Sequence, residues 1–349
     1  MAHDQQAFKA RIDRALDDFA REETSKLIAI DEDLAPMATQ LRSAVSGGKR
    51  LRAAFCYWGW RAAGQDDSEE MIRAAAAVEL VHAAAIVHDD IIDESPTRRG
   101  LPTVHVAFEA TVAGAGRRAK RHALGLAMLV GDLLMAWAGQ LFTSCGLPSA
   151  FLARTQSLWP VMSRELVAGE CLEILSTARP PRMDRVLDIV RLKTAKYTVE
   201  RPLHIGGVLG GASKALLSAF TAYAIPLGEA FQLRDDLLGV FGSPTSTGKS
   251  NQDDLIGYKP TSVLAIALSM AHPVDREELE ILLGRGVLDL EQLDRVREIM
   301  QRSGARQHVE SMIEERAAAA VRTIERTRLP SDASSALQSL VSAVVTRES

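Results

Sequence analysis

The chain has 349 residues, enough to bury a sizeable core in one large domain or two modest ones. Hydrophobic residues make up 47%, charged residues 25% and aromatics only 5%, a globular composition whose alanine and leucine favour helices over strands. A net charge of -4 argues against a nucleic acid as the main partner, and three scattered cysteines, Cys56, Cys145 and Cys171, show no metal-ligand spacing and fit buried thiols in a reducing compartment.

The charged, mixed-sign N-terminus lacks the apolar core of a secretory signal. No uninterrupted apolar run approaches the roughly 20 residues of a membrane span, so a cytoplasmic protein without a span is expected. Residues 5 to 45 read as two amphipathic helices, with Phe8, Ile12, Leu16 and Phe19 three or four apart. Ser46-Gly47-Gly48 breaks that pattern, and a new helix is expected to start at Lys49-Arg50-Leu51-Arg52, with Lys49 and Arg52 pointing the same way. Two cations at the positive end of a helix dipole repel it unless an anion binds there. The pair is therefore either an anion site or a solvated basic turn.

After the polar linker Gly64 to Ser68, an alanine-rich helix leads into Glu79 to Gly100, reading ELVHAAAIVHDDIIDESPTRRG. Asp89 and Asp93, four apart, share a helix face and can hold one cation between them; His82 lies on the same stripe. His88 points elsewhere and reads as structural. Arg98 and Arg99 follow the break at Ser95-Pro96, and acids beside paired arginines suggest a metal and a polyanion, with diphosphate the natural candidate.

Beyond Thr103 a short helix is expected, then a basic run from Arg117 to His122 that reads as a solvated helix start. The apolar stretch Leu124 to Phe142 follows, with Asp132 as a buried exception. Pro148 to Leu175 is a further helix, and Met183 to Leu209 is expected to be one helix carrying Lys193-Thr194-Ala195-Lys196-Tyr197-Thr198. Pro202 is expected to kink it or free its carbonyls, as often happens beside a cavity. The helix Leu216 to Phe241 ends with Gln232 on the side of Asp235 and Asp236. Apolar neighbours there oppose ionisation of the acids unless a cation is present. A charged loop follows with Lys249, Asp253, Asp254 and Lys259. Residues 260 to 349 read as four or five helices that close the bundle and offer dimer contacts.

Oxygen-only donors of this kind favour Mg2+ or Mn2+ shared with substrate phosphates. There is no HExxH, serine nucleophile elbow, cysteine nucleophile signature or phosphate-cradling GxxxxGK[ST] loop. A helical frame with carboxylates facing a cavity suits metal-assisted departure of a diphosphate.

The ordered motifs resemble the trans-isoprenyl diphosphate synthases, or polyprenyl synthetases. They are GGKR at Gly47 with Arg52, DDIID at Asp89 with RRG, PTVH at Pro102, KTAKYT at Lys193, FQLRDD at Phe231 and TGKSNQDDL at Thr247. The likeness covers about residues 40 to 265. It implies an all-α bundle of the isoprenoid synthase type around a central cavity, with 1–349 as one domain and 266–349 as C-terminal helices. It further implies that Asp89, Asp93 and Asp235, supported by Asp90 and Asp236, hold a Mg2+ cluster of three ions on an allylic diphosphate. Arg98, Lys193, Lys249 and Lys259 would grip that diphosphate. Lys49, Arg52, His82 and Arg99 would bind isopentenyl diphosphate, and Thr194 and Gln232 would place oxygens near the allylic cation. A homodimer also belongs to the resemblance.

Three departures stand out: Gly239 where many members carry a third aspartate, Ala53 for a usual proline, and Tyr258-Lys259-Pro260-Thr261 lacking an arginine. None removes the first motif. In the family the growing tail runs beside the helix preceding that motif. Positions four and five before Asp89 are Ala85 and Ala84, roughly 6–7.5 Å below the metals at the helical rise, and neither blocks the path. The expected product is geranylgeranyl diphosphate, C20, with deeper bulk supplied by Met128, Met135 or Trp137. Other readings are a synthase of another product length, a class I terpene cyclase, or a non-catalytic regulatory subunit. Lys49, Arg52 and His82 favour a condensing enzyme over a cyclase, which needs no second diphosphate site.

Overall fold

The structure, a computed structural model, describes residues 2–111, 116–177, 179–242, 255, 259–284 and 288–345, with side chains from residue 6. Lys249, Asp253 and Asp254 lie outside the described residues. The described chain is helical apart from one two-residue antiparallel ribbon, β1 Thr97–Arg98 with β2 Leu101–Pro102.

Helix α1, Ala2–Ile28, buries Ile12 and Leu16 along its apolar stripe and leads through a short 3-10 turn to α2, Ala35–Val45. Helix α3 is Leu51–Ala62. It starts two residues later than expected, with Arg50 as a left-handed N-cap, so Lys49 sits in the loop and shares no helix face with Arg52. Helix α4, Glu69–Ile92, starts cleanly because the Ser68 hydroxyl accepts from the Met71 amide while Glu69 and Glu70 complement the dipole. It is apolar nearly all round and is buried from Met71 to Val87 with few gaps, the pattern of a central helix.

Helices α5, Val104–Thr111, and α6, Arg117–Thr143, follow. α6 packs antiparallel along α4. Arg73 donates to the Cys145 carbonyl at 2.7 Å at one end, and at the other a Cβ on Gly131 would lie 2.2 Å from His88 Nε2. The His88 ring therefore occupies the space that a side chain at position 131 would fill. By length and composition α4 and α6 are each apolar enough to cross a membrane, but 72% and 39% of their apolar windows are buried inside the fold. Asp132 is not the buried exception expected of it; its side chain is 60% exposed, at the edge of the α4–α6 contact, with Oδ1 3.6 Å from His88 Nε2. Met128 also points outward, at 52% exposed, and Cys171 is exposed where a buried thiol was expected.

Helices α7, Ser149–Ala153, and α8, Leu158–Ile174, lead to the stretch expected to be one continuous helix. It is three segments: α9 Met183–Val190, a π-helix Arg191–Glu200, and α10 Arg201–Leu209 with Pro202 in its first turn. Proline offers no N–H to the preceding turn, and the wide winding ends just ahead of it. The π-segment is clamped from both sides by glycines. A Cβ on Gly169 of α8 would lie 2.7 Å from the Lys193 amide nitrogen, and one on Gly228 would lie 2.2 Å from Ala195 Cα. Gly228 belongs to α11, Lys214–Phe241, whose start is capped by Ser213. Five described helices then close the bundle: Ser262–Met270, Pro273–Leu283, Leu290–Arg302, Ala305–Arg326 and Ser331–Val345.

Candidate active site

The end of α4 carries Asp89, Asp90 and, at its C-cap, Asp93. Each first-motif acid meets a cation from a different part of the chain. Asp89 Oδ1 accepts from Lys193 Nζ at 3.0 Å and its Oδ2 lies 3.2 Å from Arg98 Nη2. Asp90, 2% exposed, accepts from Arg98 Nε at 2.7 Å, and Asp93 accepts from Lys259 Nζ at 2.9 Å. Burial alone opposes charge on Asp89, yet Lys193, Lys259 and Arg98 outweigh it and hold the carboxyl below its usual range.

Lys193 has three acidic neighbours. Besides Asp89 it pairs with Glu170 at 2.8 Å and with Glu173, both on α8. Burial works against its charge, but Glu173, Asp89 and Glu170 keep the ammonium well above the ordinary lysine range. Glu170 moves the other way: burial, with Glu173 and Asp89 close by, pushes its carboxyl up despite Lys193. These two glutamates escaped the sequence reading. Their spacing of three directly after Gly169, on one face of the helix, was the available signal.

A second chain of contacts runs from the π-segment into α11. The Thr194 hydroxyl donates to Gln232 Oε1 at 2.8 Å, and Gln232 Nε2 donates to Asp236 Oδ1 at 3.0 Å. Asp236 Oδ2 accepts from both the amide and the hydroxyl of Ser262, each at 2.7 Å. Asp236 therefore ties α11 to the start of Ser262–Met270, and the half-buried Asp235 beside it is the better placed donor for a cation.

The other basic cluster gathers behind the first. Arg52 donates to Thr198 Oγ1 at 2.9 Å and stacks 4.7 Å from the Tyr197 ring centroid, whose phenol burial pushes up to about 12. The His82 ring lies 6.2 Å from that of Tyr197. Burial lowers the His82 pKa well below the usual value, and Arg52, Arg99, Arg98 and Arg50 add to the effect, so the ring is neutral here. Its Nδ1 is buried without a hydrogen-bond partner among the described residues. Arg99 Nη1 donates to the Ser46 carbonyl at 3.2 Å, and the guanidinium lies over Gly47 and Gly48, where a Cβ on Gly48 would come within 3.1 Å. Arg52, His82, Arg99 and the exposed Lys49 thus border one corner, beside but separate from the acids.

Among the described residues no three acidic, histidine or cysteine side chains form a ready-made metal cage. The donor set instead has carboxylates interleaved with cations, which suits a divalent ion that arrives with an anion and shares its oxygens. Two surface clefts, of about 610 Å3 beside Glu278, Asp289 and Arg295 and about 480 Å3 beside Arg121 and Leu129, lie away from these motifs.

A model of the polyprenyl synthetase family matches residues 35–300. The chain belongs to that family. Its fold is that of a geranylgeranyl pyrophosphate synthase from Corynebacterium glutamicum, solved with isoprenyl diphosphate and magnesium. The TM-score is 0.91 at 33% identity over 97% of this chain and 98% of that one. The geranylgeranyl diphosphate synthase of Saccharolobus solfataricus is 30% identical over 261 residues, 74% of each chain. A (2E,6E)-farnesyl diphosphate synthase of Mycobacterium tuberculosis is 28% identical over 310 residues, 86% of this chain and 80% of its own. As polyprenyl synthetases, such proteins are trans-prenyltransferases, and the all-α isoprenoid synthase fold is common to them and this chain.

Proposed function

We propose that the protein condenses isopentenyl diphosphate with an allylic diphosphate, in the presence of Mg2+, to an all-trans prenyl diphosphate, working as one isoprenoid synthase domain. The observation that carries this reading is the pairing of Asp89, Asp90 and Asp93 with Arg98, Lys193 and Lys259. Acids that face three cations are ready to exchange them for metal, leaving the cations to turn to a diphosphate. Asp89, Asp93 and Asp235 would hold Mg2+, up to three ions once the allylic diphosphate is bound. Magnesium supplies Lewis acidity to the departing pyrophosphate.

The chain's own groups do the rest. Arg98, Lys193 and Lys259, with Lys249, hold the leaving group. Lys49, Arg52, His82 and Arg99 orient the second diphosphate. The Thr194 and Gln232 oxygens lie beside the developing cation, and apolar walls keep water from it. Incubating the protein with Mg2+, isopentenyl diphosphate and C5, C10 or C15 allylic starters tests this. Chain elongation supports it, a hydrocarbon from the starter alone makes the protein a cyclase, and inertness makes it a regulatory subunit.

For product length, α4 shows its half-buried face at His82, Ala85, Ile86 and Asp89, while Ala84 is fully buried. The contacts of Arg73 and His88 with α6 put roughly residues 134–135 opposite Ala84. Met135 is half-buried there, and Trp137 is packed deeper, edge-on to Phe19. A small wall with bulk further down favours geranylgeranyl diphosphate, C20. The homodimer is assigned to the outward apolar faces of α6 and α8, where Met128, Leu129, Val167 and Leu175 are at least half exposed.

A further inference from the structure

We infer that Arg50 and Glu79 are positioning residues that set the corner for the second diphosphate, although neither faces it. The inference rests on the reading that Lys49, Arg52, His82 and Arg99 take isopentenyl diphosphate.

The loop Ser46 to Arg50 turns through three residues of positive φ: Gly47 at φ 69 and Gly48 at φ 90, and then, past Lys49, Arg50 at φ 55. Arg50 is an arginine in a left-handed conformation, which side chains with a Cβ resist. Something must hold it there. Its guanidinium is 7% exposed and is fixed from three helices. Nε donates to Asp13 Oδ1 of α1 at 2.7 Å, Nη2 donates to the Val45 carbonyl of α2 at 2.7 Å, and Nη1 lies 3.8 Å from Glu79 Oε2 of α4.

Glu79, 4% exposed, acts twice. Its other oxygen accepts from the Ala53 amide at 2.9 Å, one of the open donors at the N-terminus of α3. One carboxylate therefore fixes both the left-handed N-cap and the first turn that follows it. Lys49 immediately precedes the fixed residue and Arg52 lies within that turn. Their separation from His82, three residues along α4 from Glu79, is set through this carboxylate, with Asp13 holding Arg50 from the other side. A charge pair spent on ordinary fold stability has no need of a strained N-cap between two substrate-binding cations.

The experiment measures KM for both substrates and kcat in Glu79→Gln and Asp13→Asn, with Lys49→Ala as a control. Glutamine keeps an oxygen for the Ala53 amide but removes the charge facing Arg50, and Asp13 is a half-exposed residue of α1 whose amide variant keeps its shape. KM for isopentenyl diphosphate should rise about tenfold in Glu79→Gln and severalfold in Asp13→Asn, with KM for the allylic substrate and kcat within about twofold of the parent. Asp13→Glu should restore the parent value. If both KM values and kcat worsen together, the lock is merely structural and the inference falls. If Lys49→Ala raises KM for isopentenyl diphosphate while the lock variants do not, only the inference falls. If Lys49→Ala leaves it unchanged too, the corner is misassigned and both fall.

Discussion

Arg98 and Arg99 are neighbours in the chain, yet their guanidiniums serve opposite sides of the site. Arg98 Nε meets Asp90 at 2.7 Å, whereas Arg99 Nη1 meets the Ser46 carbonyl at 3.2 Å. The ribbon between them explains the split. Arg99 and Gly100, with φ 53 and 76, are the central residues of a tight hairpin, where two positive φ values match the strand twist. Arg98→Ala should reduce kcat and weaken allylic substrate binding. It also takes a charged partner from the buried Asp90, at a cost of about 3 kcal/mol by urea unfolding. Arg99→Ala should instead raise KM for isopentenyl diphosphate about tenfold with stability little changed.

Gly228 is where α11 touches the π-segment. Gly228→Ala should push on Ala195 and displace Lys193 and Thr194 together, lowering kcat more than either KM. The strain should cost about 1–3 kcal/mol. A thermal melt and steady-state kinetics on the same preparation check both halves.

His82 gives a pH signature. Its folded pKa is depressed, so the folded state holds the neutral ring while an unfolded chain titrates normally near 6.5. The contribution to stability is whole above that value and is lost as pH falls below it, at up to about 1.4 kcal/mol per pH unit for one histidine. His105 and His204 are lowered by burial in the same direction, so the wild-type slope is a sum. His82→Gln should flatten the loss between pH 6.5 and 5.5 by one histidine's share, read from urea midpoints at the two pH values.

Ala85 is on the open face of α4 and Ala84 is not. Ala85→Phe should shorten the product toward C15 with the fold intact. Ala84→Phe should also shorten it, but by overpacking a filled core, at about 1–3 kcal/mol. Chromatography of the dephosphorylated products reads the lengths.

Metal and diphosphate should depend on each other, because the first-motif acids are already paired with lysine and arginine. Mg2+ alone, or a non-hydrolysable allylic diphosphate analogue alone, should raise the melting temperature little. Together they should raise it by several degrees, and chelation should remove the gain and all turnover. Calorimetry with the four combinations checks this.

The sequence by itself determined the helical class and the order of the motifs. Helical spacing also placed His82 on the Asp89 stripe and kept His88 off it. Those features are local, written in a period of 3.6 or in a contiguous motif. Only the tertiary structure decided that Asp236 binds Ser262, that Lys193 is held by Glu170 and Glu173, and that Lys49 lies in a loop while Arg50 caps α3. It also turned Asp132 and Met128 outward, because hydropathy cannot tell which side of an apolar helix lacks a neighbour. The π-segment was half legible: Pro202 marked a disturbance, but the close approach of Gly169 and Gly228 to it comes from two other helices. Contacts between distant segments obey no period that a single stretch of sequence records.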